Sequence, residues 1–401
     1  MRFAMIPLLL LCACSKKPTP AQAATSKSRE LMNQAVKTYE EMVRTTRRMR
    51  EVGPQGDKPE ARKEMEELAA KSQKDSMEYK KAFDAAKLAV EEALRASPDD
   101  ADALDGSSTI AYLSGDFDAS AAHLEKLAKL HPGDARISAR RAAVLRAKGR
   151  YAEARALLKP VIEANPTEAT ALAEDGCNAY LLNEFEVAVQ RLESVGKQRV
   201  AITGPTAFNY GEMADEARKT LDWWKKELEL RAAEAKADDL PRVKFETAKG
   251  DIVLELYENE APNTVANFVD LVEKQFYDGT RFHSVAPGLV VQGGDPLSRD
   301  ADSKEVGGGG PGYCIADERN DGKYRRHFRG SVGMFVRGPD QGGSQFYITM
   351  RPMSHADGHF TIFGRVLEGQ EVLDKMEAKD LLTRATIVRK RAHVYRPTLK
   401  D

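Results

Sequence analysis

Three short segments in the last third of the chain carry the side chains most able to do chemistry. They are Arg281-Phe282-His283-Ser284-Val285-Ala286-Pro287-Gly288-Leu289-Val290-Val291-Gln292-Gly293-Gly294-Asp295, then Gly343-Ser344-Gln345-Phe346-Tyr347-Ile348, then Asp357-Gly358-His359-Phe360-Thr361-Ile362-Phe363-Gly364. Polar candidates such as Ser284 and Gln292 sit among apolar and aromatic residues. No cysteine or histidine spacing suits a metal, and none is expected. The glycine run Gly307 to Gly310 lacks the Lys and Ser/Thr of a phosphate loop, which excludes that reading.

In this order and spacing the three segments resemble the cyclophilin family of peptidyl-prolyl cis-trans isomerases. Further matches are the hairpin signal around Val243 to Leu256, the helix start Ala261-Pro262-Asn263-Thr264-Val265-Ala266-Asn267-Phe268, Ile315-Ala316-Asp317-Glu318, and Phe363-Gly364-Arg365-Val366. The resemblance covers residues 242–398. It implies an eight-stranded antiparallel β-barrel closed by helices near 261–276 and 371–378, and no cofactor. The implied reaction is rotation about an X-Pro bond, whose barrier is about 18–20 kcal/mol and which exchanges over roughly tens of seconds unaided. A catalyst must hold the proline ring in an apolar slot. It must also aim donors at an amide whose nitrogen has become pyramidal and basic. No proton is transferred, so His283 and His359 are not expected to form an acid–base pair.

The resemblance puts the family's catalytic arginine at Ser284 and its assisting glutamine at Gln292. The substrate pocket falls to Phe282, Leu289, Val290, Phe335, Tyr347, Ala356 and Phe360. Phe335 and Val336 stand where the family has Ala and Asn, and Phe360 where it has His. The floor thus stays apolar while the polar apparatus is depleted. A serine offers one short hydroxyl, whereas an arginine offers five donors in a planar fork. Losing one well-placed donor costs roughly 10²–10³ in rate, so weakened catalysis is expected. On a continuous strand Arg281, three residues before Ser284, faces the other way. Arg337 stays open as a substitute donor, and the path of Arg325, Arg326 and Arg329 is not readable from sequence.

Upstream of these segments, Pro98, Pro132 and Pro166 recur at a spacing of 34 residues, as do Gly115, Gly149 and Asn183. Phe117, Tyr151 and Phe185, then Ser120, Ala154 and Ala188, then Leu124, Leu158 and Leu192 keep the same period. The pattern resembles tetratricopeptide repeats, assigned to 98–200, with a capping helix and linker over 201–241 that includes Ala235 to Pro241. The resemblance places Asp105, Thr109, Tyr112, Ala139, Ala143, Arg146, Ala173, Cys177 and Tyr180 along the concave groove, where an unidentified protein partner could bind. Repeats and barrel are expected to carry separate cores and to unfold separately. Residues 28–97 are strongly helical in composition and read as a hairpin.

At the amino terminus, Arg2, the apolar run to Leu11 and Leu11-Cys12-Ala13-Cys14 resemble a bacterial lipobox. Residues 1–13 would be the signal peptide and Cys14 would carry lipid. Residues 14–27 read as a flexible tether. Ser15 after the cysteine favours an outer-membrane anchor facing the periplasm.

With 401 residues, a net charge of −1 and 31% charged residues, the chain fits a multidomain protein and shows no nucleic-acid surface. The fold class expected is a multidomain α + β protein: an all-α hairpin and repeat solenoid, then an eight-stranded antiparallel barrel with two capping helices. The function expected is a peptidyl-prolyl isomerase that assists folding of envelope proteins, acting on proline-containing segments with weakened catalysis. The alternative is a non-catalytic proline-peptide-binding scaffold.

Overall fold

The computed structural model describes residues 20–53, 58–196, 210–319 and 324–400. Cys14, the signal segment and Phe208 lie outside them. The chain divides into two compact units, Met1–Pro132 and Gly133–Asp401.

The first unit contains the helices α1 (Pro20–Val52), α2 (Pro59–Ala96), α3 (Ala101–Leu113) and α4 (Phe117–Leu130). The expected hairpin is α1 against α2, joined by the tilted rings of Tyr39 and Tyr79 with centroids 5.5 Å apart and by the Thr45 hydroxyl on Asp75 at 2.6 Å. The expected tether is corrected in part. Residues 20–27 already belong to α1, because the Ala-rich run after Pro20 favours a helix and Pro is accommodated at its first position.

The second unit holds the later repeats and the barrel. Its repeat helices are α5 (Ala135–Ala147), α6 (Tyr151–Ala164), α7 (Ala169–Leu181), α8 (Phe185–Gly196) and the long α9 (Tyr210–Ala237). The 34-residue columns have physical causes. Gly149 (φ +75°) and Asn183 (φ +67°) take left-handed backbone at the turns between paired helices, a conformation that few other residues adopt cheaply. Ala154, Ala188, Leu158 and Leu192 are fully buried between helices. The groove positions Ala139, Ala143, Ala173, Cys177 and Tyr180 are buried as well, and Arg146 pairs with Glu174 at 3.0 Å. These positions are therefore not an open surface for a partner. Ala235 to Ala237, read as linker, form the end of α9.

The barrel strands are β1 (Arg242–Thr247), β2 (Gly250–Leu256), β3 (Arg281–Phe282), β4 (Ser284–Ala286), β5 (Val290–Gly293), β6 (Ser331–Met334), β7 (Phe346–Thr349), β8 (Ile362–Glu368) and β9 (Asp380–Arg389). The nine-stranded order is β3-β9-β1-β2-β8-β6-β7-β5-β4, antiparallel wherever strands pair. The two ends of this order, β3 and β4, are consecutive in the chain and separated only by His283. Counted as one strand broken at His283, they close an eight-stranded barrel, and closure removes exposed edges. Helix α10 (Pro262–Glu273) caps one opening as expected, whereas α11 (Gln370–Leu373) is a single turn, shorter than the expected 371–378. Phe245, Phe268, Phe346, Phe363 and Tyr277 fill the core with mutual ring contacts of 5.1 to 6.2 Å.

Repeats and barrel in this unit share a wide packed boundary. Phe328, from the segment before β6, inserts beside Phe185 and Trp224, the latter at 4.7 Å. Arg325 is buried among Glu227, Glu234 and Glu260 at 2.5 to 3.0 Å. This contact argues against the expected separate unfolding of the two parts. A buried guanidinium with carboxylates from both sides cannot be exposed by one side alone without a large penalty.

Candidate functional site

The site is laid out as a row across four strands. Ser284 on β4 stands opposite Gln292 on β5, Gln292 opposite Tyr347 on β7, and Tyr347 opposite Gly333 on β6. Ser284 is exposed and Gln292 half-buried. The Gln292 amide donates to Gln345 Oε1 at 3.0 Å, and Gln345 Nε2 donates to the carbonyls of Gly307 (3.0 Å) and Gly309 (2.8 Å). The glutamine expected to assist is thus oriented by a second glutamine that is itself fixed to the glycine loop. Only Gly fits at 333, because a Cβ there would collide with the Tyr347 ring.

Two cavities meet at Phe335. One of about 520 Å³ is lined by Arg281, His283, Ser284, Gln292, Phe335 and Lys379 with residues 300–303. The other, about 380 Å³, is lined by residues 308–314 with Phe335, Arg337 and Gln345. Phe335 is the wall between them. Ser284 stands on the wall of the first cavity.

The structure decides among the substitute arginines. Arg325 is committed to its carboxylates. Arg326 donates to Asp357 Oδ2 at 2.8 Å, and Arg329 donates to Asp374 and to the Met350 carbonyl. Arg337 donates to the carbonyls of Gly307 and Gly308. Arg281 is the exception, and the strand-parity expectation is corrected. The strand breaks at His283, so Arg281 and Ser284 line the same cavity. Arg281 Nη1 donates to the Lys379 carbonyl at 3.0 Å, which holds the guanidinium at the cavity wall. Burial pushes the His283 imidazole below its ordinary pKa, and both its ring nitrogens lack a partner among the described residues.

The remaining expected pocket residues separate into two groups. Phe282 is fully buried in the barrel core beside Phe245 and Phe346, so its assignment to the pocket is corrected: it faces inward from β3, next to the break. Leu289 and Val290 are half-buried at the turn and start of β5. Tyr347 and Ala356 are buried, at 6% and 4% exposure, and Phe360 meets the Tyr347 ring edge to face at 5.8 Å.

Sequence reasoning missed His327. Its Nε2 lies 2.7 Å from the Tyr347 hydroxyl, and its Nδ1 and backbone N–H lie 2.9 and 2.8 Å from Asp357 Oδ1. The Asp357 carboxylate only accepts, so Nδ1 carries the proton and Nε2 accepts from the tyrosine. Burial would raise the Asp357 carboxyl, but hydrogen bonds from the His327 ring and backbone and from Arg326 hold it below its ordinary value. Burial, with the Asp357 charge nearby, pushes the Tyr347 phenol upward, so the hydroxyl remains a donor. The only local signal was an aromatic and a histidine, His327-Phe328, inside a run of arginines.

An antiparallel barrel of this order, with a row of serine, glutamine and tyrosine across β4, β5 and β7, fits a cyclophilin-like domain. The family described as cyclophilin type peptidyl-prolyl cis-trans isomerase/CLD matches residues 242–394, and a tetratricopeptide repeat family matches residues 111–174. A peptidyl-prolyl cis-trans isomerase of Helicobacter pylori is 39% identical over 160 residues, 38% of this chain and 92% of that protein. Peptidyl-prolyl cis-trans isomerase B of Bacillus subtilis is 44% identical over 131 residues, 33% of this chain and 86% of that protein. A solved cyclophilin type isomerase of Cryptosporidium parvum is 27% identical with a TM-score of 0.34, covering 38% of this chain and 99% of that one. The chain belongs to the cyclophilin-type peptidyl-prolyl cis-trans isomerase family.

Proposed function

We propose that this protein binds proline-containing polypeptide segments and isomerises their X-Pro bonds slowly, as a folding factor of the bacterial envelope. The observation that carries the reading is Ser284, exposed on the wall of the 520 Å³ cavity and paired with Gln292. A hydroxyl there cannot follow the amide nitrogen as it twists, and Arg325, Arg326, Arg329 and Arg337 are held elsewhere. Arg281 reaches the cavity but is fixed to the Lys379 carbonyl. The apolar side chains Leu289, Val290, Tyr347, Ala356 and Phe360, which the family resemblance assigns to the proline slot, and the Tyr347–Phe360 ring contact support this reading.

Lipid on Cys14 would tether the mature chain to the outer membrane with the barrel in the periplasm; this part rests on the lipobox resemblance. The test is a coupled measurement on the full chain: isomerisation of an Ala-Pro peptide, and its equilibrium binding. Binding with a rate roughly tenfold or more below that of the Ser284→Arg variant supports the reading. Binding with no isomerisation at all would favour the non-catalytic alternative.

A further inference from the structure

The residues from Arg325 to Arg329 touch the slot on one side and the repeats on the other. Arg326 lies over the Trp223 ring of α9, 3.7 Å from its centroid, while its Nη1 binds Asp357. Asp357 orients His327, and His327 fixes the Tyr347 hydroxyl. A second line reaches the turn before β5. Tyr151, at the start of α6 and 4% exposed, donates its hydroxyl to the carbonyl of Gly288. Gly288 belongs to the tight turn closed by Leu289 N–H on the Ala286 carbonyl at 2.9 Å, and that turn delivers Leu289 and Val290. Gly149 and Gly288 pack backbone to backbone, and a Cβ on either would penetrate the other.

We infer that the second repeat and the capping helix α9 are part of the peptide site, with Tyr151 and Trp223 as positioning residues that hold the Leu289–Val290 turn and the Tyr347 hydroxyl. The inference rests on the slot being a proline site, as proposed above. Neither residue lines the cavity of Ser284. Each acts through a chain of direct contacts, which is the physical requirement for coupling two places in one protein. The residues that shape a site need such a supporting shell to keep their orientation. The repeats then brace the slot, and a client held there gains or loses affinity with their integrity.

The test uses the full chain and three variants: Tyr151→Phe, Trp223→Leu and Trp223→Phe. The readouts are affinity for a fluorescent Ala-Pro peptide, the urea midpoint, and the imidazole N–H resonance of His327. At temperatures where every variant is folded, Tyr151→Phe and Trp223→Leu should each weaken peptide binding by about fivefold, the worth of one hydrogen bond or cation–π contact. Trp223→Leu should also shift the His327 resonance, and Trp223→Phe should restore most of both. Lower urea midpoints with unchanged affinity and an unmoved resonance would overturn the inference and leave the repeats as a prop. If the unaltered chain binds no proline peptide, the proposed function fails. The His327 resonance still decides the coupling in that case: shifted by Trp223→Leu it stands, unshifted it falls.

Discussion

Ser284 faces Gln292 directly across β4 and β5, yet the Gln292 amide donates to Gln345 at 3.0 Å. Gln292, the glutamine expected to assist, is therefore held by its own neighbour, and the position opposite it carries only a short hydroxyl. On the proposed function, this depleted donor set on an intact scaffold is what would separate binding from catalysis.

The turn glycines give a controlled pair of substitutions. Gly115 and Gly149 occupy one repeat column with φ of +78° and +75°. A Cβ at Gly115 meets open space, whereas one at Gly149 strikes the Gly288 backbone. Gly115→Ala should cost about 1 kcal/mol from backbone strain alone. Gly149→Ala should cost roughly 1–3 kcal/mol more from forced displacement. Urea unfolding of both variants checks this; equal losses would mean that the two glycine backbones do not meet.

Arg325 makes the boundary between α9 and the barrel all-or-none. Its side chain is 3% exposed and pairs with Glu227, Glu234 and Glu260. Arg325→Met should lose about 3–5 kcal/mol, because it leaves carboxylates buried without a partner. In the unaltered chain, Trp223 and Trp224 fluorescence and far-ultraviolet dichroism of the second unit should change together on unfolding. Early loss of the tryptophan signal with the barrel intact would contradict this.

Acid should weaken the protein through named groups. Glu227 behaves as Asp357 does: burial opposes ionisation, but the Arg325 and Arg231 charges prevail and its carboxyl lies below the ordinary value. A carboxylate with a depressed folded pKa contributes stability fully above its unfolded value of about 4, and that stability is lost as pH falls through the folded value. The part of the urea midpoint that these carboxylates carry should thus hold from about pH 7 to 5 and fall below about pH 4, while the buried His283 imidazole adds a loss that begins as pH falls through its unfolded value of about 6.5. Asp357→Asn should lower the neutral-pH midpoint and flatten the acid fall. A midpoint that rises on acidification would show that these pairs do not govern the response.

The proposed anchor is lipid on Cys14. Cys14→Ser should move the mature chain from the membrane pellet to the soluble fraction and abolish labelling by radioactive palmitate. Label that persists on the variant would remove the lipid from the account. No described helix is long and apolar enough to cross a membrane.

Much of the fold was legible because its signals are local or periodic. The columns through Gly149, Ala154 and Leu158 gave the repeats, and the hairpin from Val243 to Leu256 opened the barrel. What escaped depended on contacts between distant segments. Phe328 reaches Phe185 and Trp224, and Tyr151 reaches Gly288 over 137 positions, with no period to betray either. Arg281 was misread because alternation assumes an unbroken strand, and the strand breaks at His283. Phe282 was placed in the slot by its neighbours, although the same break turns it into the core. The tether became helix at Pro20 because alanine propensity outweighed its polar composition.

The most direct test compares the unaltered full chain with Ser284→Arg in a proline-peptide isomerisation assay, with binding measured in parallel. The unaltered chain should bind the peptide and isomerise it slowly. Ser284→Arg should raise the rate roughly tenfold or more, short of the full effect of one aligned donor because Phe335 crowds the same cavity. Phe335→Ala added to Ser284→Arg should raise it further. A rapid unaltered chain whose rate Ser284→Arg leaves unchanged would contradict the account and make Arg281 the working donor.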